Sequence, residues 1–344
     1  MKRDAYARAG VDVKKVRAIQ GSVAGALAAT FSTRKGRFGT PLMGIGHYAG
    51  LIDIGGGKAL AMHTDGVGTK VQVAFQLGRY DTIGVDCVAM TVNDLICLGS
   101  EPVALLDYIA LESEDGAMVS ELMKGLVAGA EEASVAIVGG ETAIMGGMVD
   151  GFDLVSMGVG VVDREKVVDG SAIAEGDAVV GVASSGLHSN GYTLARSVLQ
   201  AGHSLNDYVP ALGKTLGEEL LTPTRIYVRP TLRALSRFEV HGVGHVTGGS
   251  FSKLGRLVGG RSLGFELRLP PAPPVFGMIQ REGGLSDGDM TRTFNMGIGL
   301  CVCAPPEAAA GIARLYRRSG FRATEIGRIT GRSGVRVALS DERP

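Results

Sequence analysis

The chain has no tryptophan, and its aromatics are limited to eight tyrosines and ten phenylalanines in 344 residues. Its core must therefore be filled mainly by Val, Ala, Leu and Ile, as in layered α/β proteins. Neither charge is in surplus, since 35 Lys and Arg balance 35 Asp and Glu. That leaves no basic footprint for nucleic acid. The four cysteines (Cys87, Cys97, Cys301, Cys303) lack Cys-x-x-Cys spacing, which argues against a zinc site. Buried, reduced thiols in a cytoplasmic protein are expected instead. The opening Met1-Lys2-Arg3-Asp4-Ala5-Tyr6 has no apolar stretch of the signal-peptide kind. No window approaches roughly 18 uninterrupted apolar residues, so no membrane span is expected. No fixed period of roughly 20–50 residues marks a repeat protein.

Glycine, at 53 residues, is plentiful. It falls in short clusters without a three-residue period, which excludes collagen-like and low-complexity readings. Tight turns and close approaches of backbone to ligand remain. The most informative cluster is His63-Thr64-Asp65-Gly66-Val67-Gly68-Thr69-Lys70, which follows an alternating strand-like run. One carboxylate, two glycines, two threonines and a lysine can hold a magnesium ion and admit a polyphosphate to backbone N–H groups. The spacing is not that of a Walker A loop, and Asp-Gly alone is equally an ordinary turn.

The spacing predicts helices over 13–31, 82–98, 118–134, 223–236 and 306–318, and a basic helix near 253–257. Strands are expected over 51–54, 58–63, 103–111, 135–138, 152–162, 178–183, 298–304, 322–329 and 335–339. The segment from Lys35 to Tyr48 reads as a glycine-rich loop or plain linker. On the helix 82–98, Asp86, Met90, Asn93, Asp94 and Cys97 share one face. Polar groups on an otherwise apolar helix are costly to bury without partners, so the stripe is either solvated or, the preferred reading, faces a metal. Gly139-Gly140-Glu141-Thr142 follows a β-like run, where a carboxylate reaches a site at the strand's carboxyl edge or simply turns the chain. Ser185-Gly186-Leu187-His188-Ser189-Asn190-Gly191 lies between a strand and a helix start, a ready anion site. His188 in that loop is either a proton carrier or a surface hydrogen-bonder. Composition shifts around 163–177, giving an N-terminal domain of residues 1–168 and a C-terminal domain of 169–344.

Taken in order, several blocks together resemble one family, the ATP-dependent phosphoribosylformylglycinamidine cyclo-ligases (aminoimidazole ribonucleotide synthetases). The blocks are Tyr6 with Ala9-Gly10-Val11-Asp12, Thr64-Asp65-Gly66-Val67-Gly68-Thr69-Lys70, Val92-Asn93-Asp94-Leu95 and Gly139-Gly140-Glu141-Thr142-Ala143. In the second half they are His188-Ser189-Asn190-Gly191-Tyr192, Pro223-Thr224-Arg225-Ile226-Tyr227, Thr247-Gly248-Gly249 and Arg292-Thr293-Phe294-Asn295. The tracts at Thr224 and Arg292 separate this family from related kinases and synthetases. This chain departs from the family pattern at Ile144-Met145-Gly146-Gly147, at Gly44-Ile45-Gly46-His47-Tyr48-Ala49-Gly50, and at Ser250 with Ser252-Lys253.

The resemblance implies an α/β (α+β) fold in two domains. The first is a mixed sheet or half-barrel with helices that dimerises, here through the hairpin 51–62; the second is an α/β sandwich. It implies ring closure of formylglycinamidine ribonucleotide with ATP and Mg2+, giving aminoimidazole ribonucleotide, ADP and phosphate. By role, Asp65, Asp94 and Glu141 are expected to hold the metal. Gly66, Gly68, Thr69 and Lys70 would cradle polyphosphate, assisted by Asn93, Gly139, Gly140 and Thr142. Gly186, Ser189, Asn190, Gly191, Thr247, Gly248 and Gly249 would take the ribonucleotide. Asp94, Lys70 and His188 are the expected catalytic residues, His188 as general acid or base. The alternatives are another ATP-using member of the superfamily, such as the synthetase that makes this substrate or a small-molecule kinase, or a non-catalytic nucleotide-binding scaffold.

Overall fold

The structure, a computed structural model, describes residues 13–340. The block at Tyr6 and Ala9–Asp12 and the C-terminal residues 341–344 lie outside them. Helix α1 (Val13–Ala28) passes into a 3-10 turn (Ala29–Arg34), and a loop then leads into the first sheet. That sheet contains β1 (Gly50–Gly55), β2 (Lys58–Gly66), β3 (Glu101–Leu111), β4 (Ala136–Ile144) and β5 (Phe152–Asp163). Their order is β1-β2-β5-β3-β4, antiparallel throughout except for the parallel pair β3–β4. It is a half-barrel, with α2 (Val71–Leu77) at one end and α3 (Asp81–Leu95) and α4 (Gly116–Ala133) on one face.

Asp115 caps α4 by accepting the Met118 N–H at 2.9 Å. Ser134 ends that helix in the left-handed conformation. Helices α3 and α4 cross so closely that only glycine fits: a Cβ on Gly84 would stand 2.2 Å from the Leu126 nitrogen, and one on Gly125 1.9 Å from the Asp81 oxygen. This crossing presses Ile83, Val88 and Val92 of α3 against Leu122 and Leu126 of α4, all buried. It also fixes the height at which α3 presents its polar stripe. The opposite face of the sheet leaves Leu106, Tyr108, Val138 and Met157 exposed. The hairpin expected to mediate dimerisation buries Leu51, Ala59 and Ala61 in its own domain and leaves Ile52, Leu60 and Met62 half-buried.

The second sheet contains β6 (Ala178–Ala183), β9 (Gly242–His245), β10 (Gly264–Arg268), β11 (Ile298–Ala304), β12 (Ala323–Thr330) and β13 (Gly334–Ala338), in the order β13-β10-β12-β6-β11-β9. A small ribbon pairs β7 (Tyr208–Val209) with β8 (Lys214–Thr215). Helices α5 (Tyr192–Leu199), α6 (Leu216–Leu220), α7 (Val228–Arg237), α8 (Pro274–Gly283), α9 (Asp287–Thr293) and α10 (Pro306–Arg318) complete the second half. All four cysteines are free and buried. No helix among the described residues is long and apolar enough to cross a membrane.

Three expectations need correction. Residues 135–138 are not a buried run ending in a turn: β4 is an edge strand that continues through Ile144, with Val138 exposed. Helix α7 starts at Val228 rather than 223 because residues 223–227 run across the seam between the halves and are held there by side chains of α3. Strand β10 and helix α8 went unread, since the proline cluster at 270–274 masks the helix that begins at Pro274.

Candidate active site

The polar stripe of α3 meets the second half of the chain, and all three of its polar residues are buried. The Asp86 carboxylate pairs with the Lys70 ammonium at 2.6 Å. It also accepts the Thr224 N–H and hydroxyl at 2.7 and 2.6 Å and the Ser189 hydroxyl at 3.0 Å. Lys70 donates further to the Thr222 carbonyl at 2.8 Å. One turn and three residues later, the Asn93 side chain donates to the Arg225 carbonyl at 2.8 Å and accepts the Tyr227 N–H at 2.9 Å. Asp86 and Asn93 are thus satisfied, by Lys70 and by partners from the other half, which resolves their burial cost. Neither is left to meet a metal.

Asp94 ends the stripe and opens onto a cleft of about 710 Å3 between the halves. Asp65, Asn190, Gly248, Gly249, Lys253 and Arg256 share its polar wall, and Met43, Ile45, Tyr48 and Met62 its apolar one. His245 Nδ1 donates to Asp94 Oδ1 at 2.7 Å. His63 Nε2 stands 3.4 Å from Asp94 Oδ2 and 3.9 Å from Asp65 Oδ2. Burial alone would raise the Asp94 pKa; Lys253, His245 and His63 outweigh it and hold the carboxyl at about 2.

Five buried polar atoms of residues lining this cleft lack a hydrogen-bond partner, namely both ring nitrogens of His47, Tyr48 OH, His63 Nε2 and Asp94 Oδ2, as does Nε2 of His245, which backs Asp94. Buried polar groups are ordinarily satisfied, so such a concentration marks a place built to receive polar ligand atoms. Burial lowers the His47 pKa to about 4, with Asp169 opposing the shift, leaving the ring neutral near pH 7.

The expected site residues divide into three groups. Asp65, Asp94, Asn190, Gly248 and Gly249 line the cleft. Thr247 is buried directly behind it, its hydroxyl accepting from Lys253. Gly66, Gly68 and Thr69 continue from Asp65 past the cleft edge, and the Thr69 hydroxyl meets that of Thr193 at 3.1 Å.

The second group belongs to the seam. Lys70, expected on phosphate, is enclosed in the pair with Asp86. Asn93, expected to assist the polyphosphate cradle, holds residues 225–227. In the loop after β6, Gly186 is gripped through its carbonyl by Asn295 at 2.9 Å, Ser189 is committed to Asp86, and Gly191 packs on Phe294. Only Asn190 of that loop reaches the cleft lining. His188 is 1 % exposed, with φ of 62°. Its Nε2 accepts the Ser185 N–H at 3.2 Å, and burial, His245 and Lys70 push its pKa well below the usual imidazole range. Enclosed and neutral, it does not line the cleft, and the general acid–base role expected of it is not supported.

The third group is displaced by sheet topology. Asp65 pairs with Ser156, Ser156 with Asp107, and Asp107 with Gly140. Glu141 is therefore three strands from Asp65, about 14 Å at ordinary strand spacing. One position past Gly140, its side chain leaves the opposite face. Gly139, Gly140 and Thr142 share that distant edge. Among the described residues, no group of three or more His, Cys, Asp or Glu side chains is placed to hold a metal. The triple carboxylate expected from sequence is not assembled.

Sequence reasoning passed over His63, His245, Lys253, Arg256, His47 and Tyr48. The signal for His63 was present: at two positions before Asp65 on a strand, it shares that residue's face. His245 required knowing that β9 ends against α3.

Residues 46–162 match the family of AIR synthase related proteins, N-terminal domain, and residues 174–340 the C-terminal domain of the same proteins. The chain is 47 % identical over 336 residues to a phosphoribosylformylglycinamidine cyclo-ligase of Thermococcus gammatolerans, covering 96 % of this chain and 97 % of that one. To the protein of the same name from Methanosarcina barkeri it is 44 % identical over 338 residues, covering 96 % of each. Among solved structures, the fold is similar to a thiamine-monophosphate kinase from Stenotrophomonas maltophilia (TM-score 0.63, 21 % identity, 93 % and 97 % covered). It is also similar to T. maritima PurL complexed with ADP (TM-score 0.60, 16 % identity, 91 % and 47 % covered).

Proposed function

The chain belongs to the AIR synthase related family, and on that premise we propose that it closes the imidazole ring of aminoimidazole ribonucleotide from formylglycinamidine ribonucleotide and ATP, releasing ADP and phosphate. The observation that carries the reading is the cleft lined by Asp65 and Asp94, where unpartnered buried polar atoms gather. Near-full-length relatives named for this reaction support it.

An amide oxygen is a poor leaving group, so the formyl oxygen first takes the terminal phosphoryl group of ATP. The amidine nitrogen then adds to that carbon, and phosphate departs with the C–O bond. Such chemistry needs positioning and charge neutralisation more than covalent help. Asp65 and Asp94 suit Mg2+: their oxygens are hard donors, and Asp94 Oδ2 is buried without a hydrogen-bond partner. Magnesium is often held by one or two carboxylates together with substrate phosphates. When bound, it would neutralise phosphate charge. His245 orients Asp94, Asn190 and the Gly248–Gly249 backbone face the ribonucleotide, and the apolar wall at Tyr48 and Met62 excludes water. The division of labour follows the two domains, 1–168 for ATP and metal and 169–344 for the ribonucleotide. Four buried free thiols suit a cytoplasmic location.

A homodimer belongs to the same proposal. The exposed Leu106, Tyr108, Val138 and Met157 lie on one sheet, an apolar surface of the kind that marks an interface. Sedimentation of wild type as a dimer and of Met157→Lys with Val138→Asp as a monomer is expected; a monomeric wild type would refute it. The activity is tested by phosphate release from ATP with and without formylglycinamidine ribonucleotide. Release that ignores the ribonucleotide would overturn the reading.

A further inference from the structure

The reading above leaves the cleft without the side-chain cation expected on phosphate, because Lys70 is sealed in the seam. Arg256 is also engaged: its guanidinium lies over the Tyr48 ring at 5.7 Å and donates to the His47 carbonyl at 3.4 Å. We propose that Lys253 is the phosphoryl-binding cation of the cleft, a role resting on the cyclo-ligase reading.

Lys253 lines the cleft beside Gly248, Gly249 and Asp94. Among the described residues, its ammonium donates to the neutral Thr247 hydroxyl and forms no ion pair within 4.0 Å. Yet its field, after burial, is the largest influence on the Asp94 carboxyl, so its charge acts inside the cleft. The backbone beside it is held in an uncommon conformation. Gly249 and Ser250 are both left-handed, with φ of 83° and 51°, at the start of the 3-10 segment Ser250–Val258, and the Ser250 N–H is held by the Thr247 carbonyl at 2.6 Å. A non-glycine residue held at positive φ is strain that commonly accompanies function. Lys253 also stands in a tract where this chain departs from the family pattern. The ligand chemistry is a phosphate ester or anhydride, and two sources carry it, the ATP polyphosphate and the 5′-phosphate of the ribonucleotide.

The test compares wild type, Lys253→Gln and Lys253→Arg in two ways. Calorimetric titration with tripolyphosphate and with ribose 5-phosphate reads anion binding without turnover. Steady-state kinetics read the KM values for ATP and for ribonucleotide separately. A charge-assisted contact corresponds to about a tenfold or greater loss of affinity. Lys253→Gln is expected to weaken one of the two anions by that factor and to raise the matching KM, with Lys253→Arg recovering most of the loss. Tripolyphosphate and the ATP KM moving together assign Lys253 to ATP; ribose 5-phosphate and the ribonucleotide KM assign it to the sugar phosphate. Both affinities and both KM values within twofold of wild type in folded Lys253→Gln would overturn the proposal, as would a wild type that binds neither anion. Failure of the cyclo-ligase reading appears separately, as phosphate release that ignores the ribonucleotide while anion binding still depends on Lys253.

Discussion

At Asp94, burial and charge oppose one another. Desolvation disfavours the carboxylate, while Lys253, His245 and His63 more than compensate and bring its pKa to about 2. A depressed carboxyl pKa stabilises the fold above the unfolded value of 3.8, and that contribution is lost as pH falls through about 2. Its size is about 2 kcal/mol. In urea titrations, the stability gap between wild type and Asp94→Asn is therefore expected to narrow as pH drops from 4 to 2; a gap constant over that range would contradict the assignment. Asp65, Asp94 and the Gly248–Gly249 turn were legible in the sequence because motif and chemistry coincide there. That Lys70 and His188 lie buried outside the cleft lining was not legible, for a common reason: whether a polar side chain meets ligand or a buried partner depends on which element packs over it, and no local pattern records that.

The α3–α4 crossing shows what an element does for the site. Helical periodicity marks both helices, and the polar stripe on α3 was visible as a stripe. Its destination was not, because the partners at 189, 224, 225 and 227 are more than a hundred positions away in the chain. The crossing itself depends on Gly84 and Gly125, where an added Cβ meets backbone rather than a movable side chain. Overpacking of that kind typically costs about 1–3 kcal/mol. Gly125→Ala is expected to lose at least about 2 kcal/mol in chemical denaturation, with a parallel fall in activity as Asp94 shifts. Unchanged stability would mean that the helices part easily and do not set the height of the stripe. For β4 the reading failed through parity: Glu141 follows two glycines, and the strand order that carries it away from Asp65 is a property of the sheet.

For the molecule as a whole, the two halves are joined by a buried polar seam and not by apolar packing alone. The Lys70–Asp86 pair lies at its centre with both side chains fully buried. Removing one partner of such a pair commonly costs about 3–5 kcal/mol, while replacing both with apolar groups is often neutral. Lys70→Met is expected to lower stability on that scale, and adding Asp86→Leu to recover part of it, as read by urea unfolding. A Lys70→Met protein as stable as wild type would show the seam to be loosely held. The two-domain α/β class could be read from alternating strand and helix patterns, whereas the cleft could not, since it exists only where the halves meet. The tracts at Thr224 and Arg292 illustrate why. Thr224 caps the Asp86 carboxylate, and Asn295, which ends the Arg292 tract, grips the loop at Gly186. They identify the family by supporting the site from behind. The central claim, that this cleft couples ATP to ring closure through Asp94, is tested most directly by phosphate release in wild type and Asp94→Asn. Wild type is expected to release phosphate only when formylglycinamidine ribonucleotide is present, and folded Asp94→Asn to lose that release by about a hundredfold or more. Equal rates in the two proteins, or release independent of the ribonucleotide, would contradict it.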